Sequence, residues 1–97
     1  MINTVKFLEW DCKLVKLRYT NGQNALELIT NDQEQESVAI ASVALAGEQL
    51  AEDEIAIKSW SENEGMLECL FDAKVVSEPI RTVNTGFVVA YICKLLI

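Results

Sequence analysis

The sequence predicts an α+β fold in which an antiparallel or mixed sheet of about five to six strands packs against one main helix, at about residues 61–74. Three observations lead to this prediction: a hairpin signal around Asn21–Gly22, a helix-start pattern followed by an apolar stripe after Ser61, and an apolar, β-rich segment at residues 87–96. The chain has 97 residues, of which 51% are hydrophobic. This length and composition predict a single domain, 1–97, with one modest core.

The segment KLVKLRYTNGQNALELIT, residues 13–30, has the pattern of a β-hairpin. Asn-Gly favours a two-residue type I′ turn, because both central residues of that turn need positive φ. A two-residue loop sets the register: Thr20 faces Gln23, Leu17 faces Leu26, Val15 faces Leu28, and Lys16 faces Glu27. In this register the apolar side chains share one face, and Lys16 and Glu27 form an opposite-charge pair on the other.

The rest of the chain alternates between loops and extended segments. Residues 31–37 are polar and acidic and predict a loop, whereas VAIASVAL, residues 38–45, and IAIKSW, residues 55–60, predict strands. Pro79 keeps the segment before it out of the helical region, and NTG predicts a second turn. The final segment, FVVAYICKLL, is apolar on both faces and predicts a central strand.

The helix is predicted from its start signal. Ser61 and Glu64 have the S-x-x-E spacing of a capping box, in which each side chain accepts from the other residue's amide. The residues that follow at helical spacing form an apolar stripe: Met66, Leu67, Leu70, Phe71 and Ala73. On such a helix Glu64, Glu68 and Asp72 share a solvated face.

The charge balance limits the choice of partner. Eight Lys and Arg against 15 Asp and Glu give a formal net charge of −7. This argues against direct binding to nucleic acid or to an anionic membrane, because both need concentrated cations. It favours a larger basic protein as partner, including one that handles nucleic acid. The alternative is that the net charge only keeps a small protein soluble.

Three acidic clusters are the candidate partner-binding residues. They are Asp32, Glu34 and Glu36; Glu52, Asp53 and Glu54; and Glu62, Glu64 and Glu68 with Trp60 beside them. If the clusters share one face, they form a negative surface that fits a basic groove. Trp10 is a second tryptophan that could anchor an interface. The alternatives are ordinary solvated loops for the acids and half-buried packing at a sheet margin for both tryptophans.

Catalytic and metal chemistry have few candidates. The sequence contains no histidine, and no catalytic residue or cofactor is predicted. Cys12, Cys69 and Cys93 could hold zinc with a carboxylate such as Asp11, but no C-x-x-C pair is present, and plain core cysteines are the alternative. An odd number of cysteines, no signal-peptide pattern and no membrane-spanning apolar run predict a cytoplasmic protein with reduced thiols.

Three motifs, SVALAG, SENEGM and NTGF, occur in this order. Over about Tyr19 to Leu96 the chain resembles a family of small uncharacterised proteins from phages, plasmids and bacteria, whose members carry a TVNLPG-like segment, an ENEGM-type helix start and an SGF-type turn. The resemblance implies a mobile-element context, and a host cytoplasm as the place of action. It transfers no active site, because the motifs are structural.

The expected function is therefore that of a non-enzymatic inhibitor that binds and blocks a basic host-defence protein. The context implied by the resemblance makes a CRISPR effector or another nuclease the candidate target. Two alternatives remain: a structural or assembly accessory that forms homodimers through a sheet edge, and a small metal-binding protein that uses its cysteines.

Overall fold

A computed structural model describes residues 4–97. Its elements, in chain order, are β1 (Thr4–Phe7), β2 (Trp10–Arg18), β3 (Asn24–Thr30), β4 (Ser37–Ile40), β5 (Glu54–Ile57), a 3-10 helix (Ser61–Asn63), α1 (Met66–Asp72), β6 (Arg81–Asn84) and β7 (Val89–Lys94). Neither helix among these residues has the length and apolar character needed to cross a membrane.

The strands form two antiparallel sheets, so the α+β class is confirmed, but the prediction of a single sheet of five to six strands is wrong. One sheet has the order β1-β2-β3-β4, and the other has the order β5-β7-β6. The chain passes between them at Ala41, whose N–H donates to the Leu26 carbonyl while its own carbonyl accepts from the Lys58 N–H, both over 2.8 Å. The strand predicted at residues 38–45 therefore ends at Ile40, because the backbone then turns to β5. The predicted central strand is confirmed, since β7 lies between β5 and β6.

The β2–β3 hairpin forms in a register one residue away from the predicted one. Its loop has three residues, Thr20–Gly22, closed by bonds from Tyr19 N–H to Gln23 O and from Gly22 N–H to Tyr19 O, each 2.9 Å. Gly22 has φ of +87°, which suits a type I turn followed by a residue in the left-handed region. The observed pairs are Leu17 with Ala25, Lys16 with Leu26, Val15 with Glu27, and Leu14 with Leu28. The extra loop residue leaves Leu17 exposed and separates Lys16 from Glu27.

Strand β1 has no counterpart in the sequence-based prediction. It pairs with β2 through the two-residue loop Leu8–Glu9, in which Leu8 has φ of +56°. The loop contains none of the Gly, Asn or Pro residues that mark turns, so the sequence carries no hairpin signal there. Val5 and Phe7 of β1 are buried in the main core.

The helix starts later than predicted, and the predicted capping box between Ser61 and Glu64 does not form. Gly65, with φ of +88°, is the N-cap of α1 and separates it from the 3-10 helix. The Glu64 N–H donates to the Ser61 carbonyl rather than to its hydroxyl, and the Leu67 N–H donates to Ser59 Oγ over 3.0 Å. Because Glu64 lies outside α1, it does not share a helical face with Glu68 and Asp72.

The core has a main part and a smaller part on either side of the β5-β7-β6 sheet. The main part lies between the two sheets and α1 and includes Leu26, Leu28, Ile55, Ile57, Met66 and Leu70. The smaller part contains Leu45, Ala56, Ala90 and Ile92, with Trp60 and Val83 packed against it. The connection between β4 and β5 therefore acts as a cover for the second face of this sheet.

Two buried amides hold that connection in place. Gln23 Oε1 accepts from the Leu45 N–H over 2.8 Å, and Gln23 Nε2 donates to the carbonyls of Leu45 and Glu48. Asn24 Nδ2 donates to the carbonyls of Glu52 and Glu54, over 2.8 and 2.9 Å. The start of β3 is thus the attachment point for residues 45–54.

Replacing Gln23 with alanine should destabilise the protein by about 1–3 kcal/mol, because the buried backbone groups of Leu45 lose their partners. Thermal or urea unfolding measures the change. The matched control is Gln49→Ala, which truncates an exposed glutamine in the same connection. Equal stability of the two variants would contradict the role given to Gln23.

Candidate functional site

One end of the four-stranded sheet collects five carboxylates, which we call the acidic end: Glu9, Asp11, Asp32, Glu34 and Glu36. Glu9 lies in the β1–β2 loop, and Asp11 follows it in β2. The Asn31 N–H donates to the Asp11 carbonyl over 3.2 Å, and Cys12 pairs with Thr30, so the β1–β2 loop lies beside the β3–β4 loop. All five acidic residues are exposed.

Asp32 organises the β3–β4 loop. Its Oδ1 accepts from Thr30 Oγ1 over 2.8 Å and from the N–H groups of Glu34 and Gln35 over 3.0 and 3.1 Å. The Thr30 hydroxyl is the main reason why the pKa of Asp32 lies below its usual value, and the two amides add to it. Asp32 therefore fixes the backbone that presents Glu34 and Glu36 to solvent.

Two large apolar side chains are exposed at the same end. Leu8 is 68% exposed in the β1–β2 loop, and Trp10 is 50% exposed at the start of β2. An aromatic side chain of this kind is a common anchor in protein interfaces. The sequence names Trp10 as a possible interface anchor and Asp11 as a possible zinc ligand, but it does not join them to Leu8 and Glu9, because the LEWD segment acquires its place only through the β1–β2 loop, which carries no turn signal.

The second predicted cluster lies elsewhere. The Asn24 side chain holds the carbonyls of Glu52 and Glu54 at the first residue of β3, whereas the acidic end adjoins Thr30, the last residue of this strand. Six residue steps at about 3.3 Å each separate the two places by about 20 Å. The expected single acidic face is therefore not formed by these two clusters.

Cations also neutralise part of the second cluster. Asp53 Oδ2 lies 3.3 Å from Lys94 Nζ, and Glu54 Oε1 lies 3.5 Å from an Arg81 nitrogen. Glu54 Oε1 also accepts from the Ala51 N–H over 2.8 Å, so it closes its own loop. Of this cluster, only Glu52 has an exposed carboxylate outside the ion pairs found in residues 4–97.

The third cluster is split among several environments. Glu62 forms an ion pair with Lys58 over 2.6 Å, and the hydrogen bond from Lys58 is the main reason why the pKa of Glu62 is lowered. Lys58 Nζ lies 5.9 Å from the Trp60 ring centroid, and Trp60 is half-buried against the smaller core. Glu64 is exposed between the two helices, and Glu68 is exposed on α1.

The three cysteines lie in the main core or against it. Cys12 and Cys93 are fully buried, and Cys69 is half-buried and donates its thiol to the Lys6 carbonyl over 3.2 Å. Burial raises the pKa of all three thiols, to about 11 for Cys93. Within residues 4–97 no group of three or more His, Cys, Asp or Glu side chains has an arrangement that could hold a metal ion.

Burial and raised pKa values should make the cysteines slow to alkylate at pH 8, because the thiolate is the reacting form. Mass spectrometry after iodoacetamide treatment should show Cys69 modified first, and Cys12 and Cys93 modified only in denaturant. Rapid alkylation of Cys93 in the native protein would contradict its burial. Protection of Cys69 by added zinc would instead favour the metal-binding alternative.

Asp32→Ala should lower the melting temperature at neutral pH, because the loop loses its acceptor. The folded-state pKa of Asp32 is depressed, so its stabilising effect is present above the unfolded pKa, about 3.9, and is lost as the pH falls through the folded value. The difference in melting temperature between the native protein and Asp32→Ala should therefore become smaller in acid. Glu34→Ala, in the same loop, is the control. A difference in melting temperature between the native protein and Asp32→Ala that does not change with pH would contradict a stabilising contribution from the ionised carboxylate.

Comparison of the chain with protein-family models, with curated proteins and with solved structures gave no match. The surface of the described residues, and in particular the acidic end, is therefore the feature of this chain that bears on its function.

Proposed function

We propose that this protein is a non-enzymatic, acidic protein-binding inhibitor that docks onto a larger basic protein. The observation that carries the proposal is the acidic end, where five exposed carboxylates lie at the same end of the sheet as exposed Leu8 and Trp10. Charge supplies long-range attraction and orientation, and buried apolar area supplies most of the lasting affinity.

The acidic end keeps its charge available for a partner. The ion pairs found among residues 4–97 involve Glu48, Asp53, Glu54 and Glu62, and none of the acidic-end carboxylates. Lys6 is the cation that strand pairing places opposite Asp11, but no ion pair joins them. One end of the molecule is therefore strongly negative, in a chain whose net charge is already −7.

The chemistry of this end favours binding over catalysis. The chain has no histidine, and a general acid working near neutral pH needs a raised carboxyl pKa. The pKa of Asp32 is instead lowered, by hydrogen bonds that build the loop. These features support a surface that recognises charge and shape.

A nucleic-acid-handling protein suits the proposed interaction. Such proteins concentrate Lys and Arg in grooves that accept phosphates, and a compact array of carboxylates can compete for the same groove. The resemblance to small phage and mobile-element proteins favours a host-defence target. CRISPR effectors and other nucleases are therefore the partners to test first.

The experiment compares two triple variants of equal charge change, with all six substituted residues exposed. Asp11→Asn/Glu34→Gln/Glu36→Gln removes three charges from the acidic end, whereas Glu52→Gln/Glu64→Gln/Asp72→Asn removes three from other places. Binding is measured to poly-arginine and to purified CRISPR effectors and other nucleases. The first variant should bind about tenfold more weakly than the second, since three exposed charge pairs contribute about 0.5 kcal/mol each.

Nuclease inhibition that disappears with the first variant and persists with the second is the expected functional result. Affinity should also fall as salt is raised, because exposed charges are screened. The proposal would be overturned if the two triple variants lost affinity equally, or if the affinity of the native protein did not change with salt. A salt-independent dimer in sedimentation together with no nuclease binding would favour the assembly-accessory alternative.

A further inference from the structure

A small apolar groove lies between α1 and the segment that leads into β6. It is lined by Leu67, Glu68, Phe71, Glu78 and Pro79 and has a volume of about 200 Å³. Three of the lining residues are apolar, and the two glutamates are exposed.

The groove exists because α1 buries one of its two apolar rows completely and the other only in part. Met66 and Leu70, four residues apart, are fully buried in the main core. Leu67 and Phe71 form the neighbouring row, and Phe71 is 47% exposed, so the expectation that Phe71 packs into the core is wrong. Leu67 packs partly against the main core, so Phe71 is the part of this row that stays uncovered.

The opposite wall is held by the second sheet. The Ser77 N–H donates to the Lys94 carbonyl over 2.9 Å, and the Lys94 N–H donates back to Ser77 Oγ over 2.9 Å. The Ile80 N–H donates to the Ile92 carbonyl over 2.8 Å. Glu78 and Pro79 therefore lie between two points fixed to β7, and the groove is preformed.

The charge of the groove is entirely negative. Glu68 and Glu78 take part in none of the ion pairs found in residues 4–97, and no Lys or Arg lines the groove. Lys74, three residues after Phe71 in the chain, is not among the lining residues. An apolar slot between two unpaired carboxylates complements an apolar side chain that has a cation on each side.

We propose that this groove binds one large apolar side chain of the partner, flanked by Lys or Arg residues. The inference rests on the proposed function, because it requires a basic protein partner, and it adds a second contact to that of the acidic end. A volume of about 200 Å³ suits a single side chain and lies below the range typical of cofactor pockets, about 300–1,000 Å³.

The test uses two fluorescein-labelled peptides, Lys-Lys-Arg-Phe-Arg-Lys-Lys and the same peptide with Ser in place of Phe. Fluorescence anisotropy with the full chain should show about tenfold tighter binding of the Phe peptide. Phe71→Ser should remove this preference, and circular dichroism checks that the variant is folded. Equal binding of the two peptides to the native protein would overturn the proposal.

A double variant of the two groove glutamates tests the proposal without changing the packing of Phe71. Glu68→Gln/Glu78→Gln should weaken binding of the Phe peptide several-fold. Glu52→Gln/Glu64→Gln, which removes the same charge elsewhere, should leave the preference for the Phe peptide over the Ser peptide intact. An equal loss of affinity for the Phe peptide in the two double variants would overturn the inference. Self-association that Phe71→Ser abolishes would also overturn it, since a second copy would then be the occupant.

The outcome separates this inference from the proposed function. If poly-arginine and the nucleases bind through the acidic end while neither groove variant changes the peptide preference, the proposed function stands and the inference fails. If neither poly-arginine nor any tested nuclease binds the native protein, the proposed function fails, and this inference loses its basis.

Discussion

Much of the architecture depends on Ala41, whose two backbone groups bond to different sheets. Its N–H bonds to Leu26 of β3, and its carbonyl bonds to Lys58 at the end of β5. This exchange ends β4 after four residues and directs the following chain across the second face of the β5-β7-β6 sheet. The amides of Gln23 and Asn24 then secure that crossing at the start of β3. The two ends of β3 consequently carry different functions: one fixes the crossing, and the other presents the acidic end.

This division explains why linear acidic clusters are a poor guide to the surface. Residues 52–54 are acidic in sequence, but Asn24 donates to two of their carbonyls, and two of their carboxylates form ion pairs with Arg81 and Lys94. The acidic end, in contrast, joins two stretches of chain that are about 20 residues apart, and only the second of them stands out as acidic in the sequence. Two features distinguish the acidic end. None of its carboxylates takes part in the ion pairs found in residues 4–97, and the exposed side chains of Leu8 and Trp10 lie at the same end of the sheet.

The sequence predicts features that depend on local chemistry and fails where competing local solutions have similar energies. The β2–β3 hairpin, β5 and the central position of β7 follow from pattern and are confirmed. Asn-Gly also supports a three-residue loop with Gly in the left-handed region, so the register could not be fixed from the turn alone. S-x-x-E predicts a capping box, but Gly65 offers a left-handed N-cap closer to the apolar row, and the helix starts there. Strand β1 was missed because Leu8–Glu9 lacks any turn residue, so the sequence predicts Asp32, Glu34 and Glu36 as an acidic cluster but does not place Glu9 and Asp11 beside them.

The most direct test of the account is a residue-level map of where a cationic ligand binds. Poly-arginine titrated into ¹⁵N-labelled protein should shift the amides of residues 8–11 and 31–36 most strongly, with residues 52–54 little changed. That result would show that the joined loops, rather than total charge, make the binding surface. Largest shifts at residues 52–54, or shifts spread evenly over all exposed acids, would contradict it.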